Sequence, residues 1–152
     1  PMIRDDIKAA LVAAMKARDT TTTAAIRLIQ STIKNRDIEL RTAAALPDDD
    51  LLITEVLQKM IKQRRESIEM YEKGNRPELA AAEAAEVEVI ERFLPRQMSE
   101  DEARAAIDAL TVELDASSVK DMGRVMAALK ERFAGQMDMG KASGLVKARL
   151  AG

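Results

Sequence analysis

Residues 48–74, DDDLLITEVLQKMIKQRRESIEMYEKG, constrain the fold more than any other stretch of the chain. Leu52, Val56, Leu57, Met60, Ile61, Ile68 and Tyr71 recur at steps of three and four, and charged side chains fill the positions between them. That period belongs to one face of an α-helix, because a strand would need alternation at every second residue. Asp48, Asp49 and Asp50 suit the positive end of a helix dipole, and Gly74 after Lys73 suits a left-handed stop. The spacing therefore predicts a long amphipathic helix whose apolar face must be covered by other helices.

The same period runs through the rest of the sequence. Ile3, Ile7, Leu11 and Met15 form a stripe on a first helix, with Asp5 and Asp6 near its start. The threonine run from Thr20 to Thr23 reads as a break and cap, and a second helix carries Ile26, Ile29, Ile33 and Leu40 toward an end near Leu46 and Pro47. Pro77 suits the first position of a fourth helix bearing Leu79, Val87, Ile90, Phe93 and Leu94. Ser99 with Glu102 is a capping box ahead of Ile107, Leu110 and Leu114. Ser118 with Asp121 opens the next helix, through Met122, Val125, Met126, Leu129 and Phe133, and a short last helix holds Leu145, Val146 and Leu150. Tyr71, Phe93 and Phe133 are the only aromatic side chains, so aliphatic residues and methionine must build the core. The expected fold is all-α, with long helices bundled in an N-terminal domain (1–95) and a small C-terminal three-helix domain (96–152). Pro1 ahead of Met2 reads as the remnant of a cleaved tag.

Composition removes much chemistry. With neither cysteine nor histidine in the chain, disulfides, thiolate metal sites and every Ser–His or Cys–His nucleophile pair are excluded. No metal site, cofactor or catalytic residue is expected. The run Asp48 to Asp50 lacks the alternating ligands and central glycine of a calcium loop. Glu83, Glu86, Glu88 and Glu91 make an acidic helix in which a carboxylate pair has no pocket to serve. No apolar run reaches the roughly 18 residues a membrane span needs, and the N-terminus lacks a signal-peptide pattern, so a cytosolic protein without membrane contact is expected.

Charge is distributed unevenly. The chain has 24 basic and 26 acidic side chains, but residues 118–152 hold seven basic and three acidic groups, a net +4 that leaves −6 for residues 1–117. Lys120, Arg124, Lys130, Arg132, Lys141, Lys147 and Arg149 are thus candidates for contact with phosphates, against the plainer reading of solvated surface side chains. The absence of an aromatic platform favours recognition of folded RNA by shape and backbone. Lys59, Lys62 and Arg65 fall along one helix edge, a candidate second RNA contact, but i, i+4 pairs of Lys62 with Glu66 and Arg65 with Glu69 favour a salt-laced helix surface. The methionines at 60, 122, 126, 137 and 139 read as core filling.

Residues 135–143, GQMDMGKAS, nearly spell a P-loop, but Ala142 stands at the hydroxyl position and a helical pattern precedes Gly135 where a strand is required. A helix stop, a loop and a new helix capped by Asp138 fit better. Gly140 and Gly144 then fall inside that helix and are candidates for close backbone approach.

Long blocks of the chain resemble a known family. RLIQSTIKNRDIE (27–39), KMIKQRRESIEMYEKGNRPELA (59–80), EVEVIERFLPRQMSEDE (86–102), DMGRVMAALKERFAGQMDMG (121–140) and SGLVK (143–147) are similar to the YqeY-like proteins, free-standing relatives of the tail of the GatB subunit of tRNA-dependent amidotransferases. The resemblance implies a helical N-terminal part and a three-helix tail of the kind that contacts tRNA in the amidotransferase. The matching tail positions are Gly123, Arg124, Val125, Met126, Lys130, Gly135, Asp138, Gly140, Ser143 and Lys147. Gln136 and Met137 depart from the pattern, where a basic residue and alanine are usual.

The expected RNA contacts are therefore Lys120, Arg124, Lys130, Lys141, Lys147 and Arg149, with Gly123, Gly135 and Gly140 shaping the surface. The expected partners are tRNA or another folded RNA, and an amidotransferase or translation-related protein. The family's label would be a carbon–nitrogen ligase with glutamine as amido donor, yet neither a glutamine-hydrolysing nucleophile nor a nucleotide site is visible. The alternative is a protein-interaction adaptor without RNA binding.

Overall fold

The computed structural model describes residues 2–43, 45 and 48–152. Its regular structure is helical: α1 (Ile3–Lys16), α2 (Thr20–Glu39) with a 3₁₀ turn (Leu40–Thr42), α3 (Asp49–Lys73), α4 (Pro77–Glu91), α5 (Glu100–Glu113), a 3₁₀ turn (Val119–Asp121), α6 (Met122–Phe133) and α7 (Met139–Ala151). These elements form two compact units, residues 1–94 and 95–152, each with its own apolar core.

In the first unit the stripe on α3 becomes the centre. Ile53, Val56, Leu57, Met60 and Ile61 are buried there with Ile7, Ile26, Ile29, Ile33, Val87 and Ile90 from the other three helices, and Leu52 is buried too. Helix α3 lies along α4 as a hairpin, α1 lies along α2, and α1 and α2 both pack on α3. Toward its C-terminus the α3 stripe thins, and Ile68 and Tyr71 are only half-buried. In the second unit Ala103, Ile107, Leu110, Val125, Leu129, Met137, Ala142, Val146 and Leu150 are buried, with Met122, Met126 and Phe133 packed against them.

Several local expectations change in detail. Met15 is 50% exposed and Ala14 is buried in its place. Four residues turn about 400°, so a strict step of four drifts about 40° each time and by Met15 has left the core face. Asp19, not the threonine run, caps α2: its carboxylate accepts from the Thr22 amide at 3.0 Å and the Thr22 hydroxyl at 2.7 Å. Helix α2 ends at Glu39, and Leu40 continues into the 3₁₀ turn; Leu46, Pro47 and Pro1 lie outside the described residues. Gly74 is not left-handed (φ −84°); Asn75 is, at φ 57°. The Arg76 amide donates to the Tyr71 carbonyl at 2.8 Å and the Asn75 amide to Glu72 at 3.1 Å, a Schellman closure in which asparagine tolerates the conformation that glycine would adopt more freely. Arg18 and Asp115 close α1 and α5 in the same way.

Ion pairs lie at the edges of the first core. Arg4 donates to both oxygens of Asp37 (3.1 and 3.2 Å) and both of Asp49 (3.2 and 2.8 Å), while Asp50 accepts from the Ile3 amide at 2.9 Å and Asp48 caps Leu51 at 3.1 Å. The acidic run thus caps α3 and holds the start of α1, and no cluster of three or more carboxylates able to hold a metal occurs among the described residues. Arg64 donates to Glu86 at 2.7 Å and Arg65 to Glu91 at 2.8 Å, so the acidic side of α4 ties it to α3. Arg65 therefore does not pair with Glu69, which binds Lys73 at 3.0 Å.

Leu57→Ala should cost about 2–5 kcal/mol, read as a lowered midpoint in urea denaturation, because a fully buried side chain leaves a cavity. Asn75→Val should lower stability by about 1–2 kcal/mol, since a β-branched residue is strained at positive φ. The hydrogen bonds from Arg4 hold the Asp49 carboxyl below the ordinary aspartate range. A depressed carboxyl stabilises the fold above its unfolded pKa and loses that contribution as pH falls through its folded value. Thermal melts below about pH 4 should therefore show a smaller acid-induced loss in Asp49→Asn than in the parent, by less than about 1 kcal/mol because the pair is partly hydrated.

Candidate nucleic-acid interface

Tail geometry is set at the corner between α6 and α7. The Gln136 amide donates to Phe133 at 3.0 Å, with Ala134 at φ −53°, ψ 132° and Gly135 at φ 82°, which makes a type II turn with glycine at its required place. Gly135 thus acts in the turn after the helix. Its carbonyl accepts from the Gln97 side chain at 2.6 Å, and the Gln136 carbonyl accepts from the Met98 amide at 2.7 Å, so the corner also anchors the segment leading into α5. Met137 is buried in the core, which accounts for an apolar side chain at that position.

The capping box at α5 is complete: the Glu102 amide donates to Ser99 Oγ at 3.1 Å and the Ser99 amide to Glu102 Oε1 at 3.2 Å. These bonds, with Arg96 beside them, hold the Glu102 carboxyl below the usual range. At α7, Asp138 Oδ1 accepts from the Gly140 amide at 2.7 Å and from Lys141 at 3.4 Å. The amides a phosphate would use at this helix start are already engaged by a carboxylate, a second physical reason why GQMDMGKAS is not a phosphate cradle. A Cβ on Gly140 would stand 3.1 Å from that carboxylate oxygen, so the small residue serves the cap. At Gly123 and Gly144 a Cβ would meet nothing within 4 Å, so neither glycine admits a neighbouring helix.

The cations divide into two groups. Arg132 donates to both Glu113 oxygens at 2.7 Å, Arg149 to Asp108 at 2.8 Å, and Arg124 to Asp121 at 2.9 Å and the Leu114 carbonyl at 3.1 Å. The Arg132 fork lowers the Glu113 pKa, and Asp121 is lowered by the Ser117 amide first, then by Arg124 and the Ser118 amide. Lys120, Lys130, Lys141 and Lys147 are exposed and make no ion pair among the described residues. Lys141 and Lys147 are six residues apart, about 120° around α7, so they flank different sides of it.

Residues 95–152 carry nine basic and nine acidic side chains, so the +4 of the last 35 residues is matched within the same unit. The acids that pair with Arg149 and Arg132, Asp108 and Glu113, come from α5. Partners 41 and 19 residues apart leave no periodic signal. The free positive charge on this unit therefore resides on lysines: Arg124, Arg132 and Arg149 tie α6 and α7 to α5 or its end, and Arg96 and Arg104 pair with Glu102 and Glu100 at the start of α5.

No helix among the described residues is long and apolar enough to cross a membrane. The sequence pattern of the family described as Yqey-like protein matches residues 4–150. The chain is also similar to proteins named Altered inheritance of mitochondria protein 41, mitochondrial. That of Lachancea thermotolerans is 34% identical over 118 residues, 76% of this chain and 59% of the relative. That of Eremothecium gossypii is 34% identical over 110 residues, 71% and 58%. That of Saccharomyces cerevisiae strain YJM789 is 33% identical over 93 residues, 61% and 46%. The matches thus span between about half and three-fifths of these relatives' lengths. Their names overturn the expectation of a cytosolic protein, which had rested on missing apolar and leader patterns, features that do not specify a compartment. With its sequence pattern matched from residue 4 to residue 150, the chain belongs to the YqeY-like family.

Proposed function

We propose that this chain is an accessory protein of RNA metabolism whose C-terminal unit docks on a folded RNA such as tRNA, with Lys120, Lys130, Lys141 and Lys147 as its phosphate contacts. The observation that carries this reading is the division of the tail cations: the arginines are neutralised within the unit and the four lysines are not. An ammonium on a flexible stem contacts phosphate as a point charge without reading bases, and no aromatic side chain of the tail stands free to stack on one. Association with an amidotransferase or another translation protein accords with the family resemblance. By itself the chain is proposed to be non-catalytic, since its sequence offers no Ser–His or Cys–His pair and no nucleotide-binding loop.

The rival reading, a protein-interaction adaptor, is favoured by Val112, an apolar side chain 75% exposed on α5. Gel-shift titration with total tRNA across a salt series separates the two. Saturable binding is expected, with Lys130→Glu/Lys147→Glu weakening it about tenfold or more and lowering the log–log salt slope by about 0.9 per lost phosphate contact. Glu113→Gln and Asp108→Asn should tighten binding by releasing Arg132 and Arg149, whereas loss of lysine charge alone should leave the melting temperature unchanged. Absence of binding at low salt sinks the RNA reading and promotes the adaptor.

A further inference from the structure

The stretch RLIQSTIKNRDIE contributes Ile29 and Ile33 to the first core, but its polar residues have no part in the RNA reading. Gln30, Lys34 and Asp37 lie on the edge of α2 that borders α1, and with Arg4 and Lys8 of α1 they line a groove of about 250 Å³. Its floor is aliphatic: Ile7 and Ile33 are almost fully buried and still line it.

Charge in the groove is not balanced. Arg4 has four of its N–H donors directed at Asp37 and Asp49, so its charge is answered twice over. Lys8 and Lys34 add two positive charges, and neither ammonium has a hydrogen bond or ion pair among the described residues. Counting Asp49 behind Arg4, the groove keeps one net positive charge. It thus combines a fixed ionic wall, two mobile cations and an amide at Gln30 with a two-residue aliphatic floor, a lining more polar than that of most small-molecule pockets and suited to a ligand that carries its own charge.

We propose that the α1–α2 groove binds a small organic anion, a carboxylate or phosphate monoester on a short apolar body. The anion pairs with Lys8 and Lys34, the body lies on Ile7 and Ile33, and Gln30 donates to or accepts from a ligand oxygen. A volume just below the roughly 300 Å³ at which drug-sized pockets begin has room for one ring or a branched chain. Asp37, held by Arg4, sets the polarity of the groove by repelling an anion from that end. The site lies in the first unit and does not depend on RNA binding by the second.

The test is an amide NMR titration of the full chain with benzoate, phenyl phosphate, inorganic phosphate and neutral benzyl alcohol. Saturable shifts confined to residues near 4–8 and 30–37 are expected with benzoate, phenyl phosphate or both, and whichever binds tighter identifies the headgroup. Inorganic phosphate and benzyl alcohol should bind at least about tenfold more weakly, as should either aromatic anion to Lys8→Glu/Lys34→Glu, whose exposed substitutions leave the melting temperature in place. Shifts that do not saturate, shifts that map to residues 95–152, equal binding of benzyl alcohol, or undiminished binding by the double variant each overturn the proposal.

Discussion

Burial of aliphatic side chains, with almost no aromatic help, is the constraint on which this molecule depends. Isoleucine, leucine and valine have few rotamers and no polar atom to satisfy, so they pack densely only where helices approach closely along extended faces. Helix α3 supplies such a face in the first unit, and α1, α2 and α4 each bring a narrower stripe to it. The second unit repeats the solution on a smaller scale around Ile107, Val125, Leu129 and Val146, with methionines filling what branched residues leave open.

Electrostatics then decides which surfaces stay available. In both units the arginines near the core rim are committed to carboxylates on neighbouring helices: Arg4 to Asp37 and Asp49, Arg64 to Glu86, Arg132 to Glu113, Arg149 to Asp108. The planar guanidinium suits this work because it binds a carboxylate through two parallel hydrogen bonds, whereas lysine offers a single mobile charge. In the tail and beside the α1–α2 groove, the cations without an ion pair among the described residues are lysines. This division bears on function, since a ligand phosphate competes poorly for a guanidinium already forked to a carboxylate.

Membership of the YqeY-like family and the neutrality of the C-terminal unit bear on each other. A net charge of zero over residues 95–152 argues against long-range steering of RNA by a bulk positive field. Recognition through this unit would have to come from local lysine contacts and shape. The glycine-containing corner at 135–140 fixes the local shape through the type II turn and the Asp138 cap, and it anchors residues 97 and 98.

Helix number, helix type and most core positions were legible in the sequence, because a period near 3.6 and caps such as Ser99–Glu102 are local signals that neighbouring residues enforce on one another. The Pro77 start, the Asp138 cap and the burial of Val125, Leu129 and Val146 belong to that class. Where local signals compete, the reading slipped by a residue or a turn: Asp19 caps in place of the threonines, Asn75 turns in place of Gly74, and Ala14 is buried in place of Met15. The candidate site was legible only as a list of cations. Which of them are neutralised, which acids neutralise them, and that Arg4, Lys8 and Lys34 border one groove were decided by tertiary structure alone. Such pairings join residues tens of positions apart, and only the packing of helix on helix brings those side chains within hydrogen-bond reach.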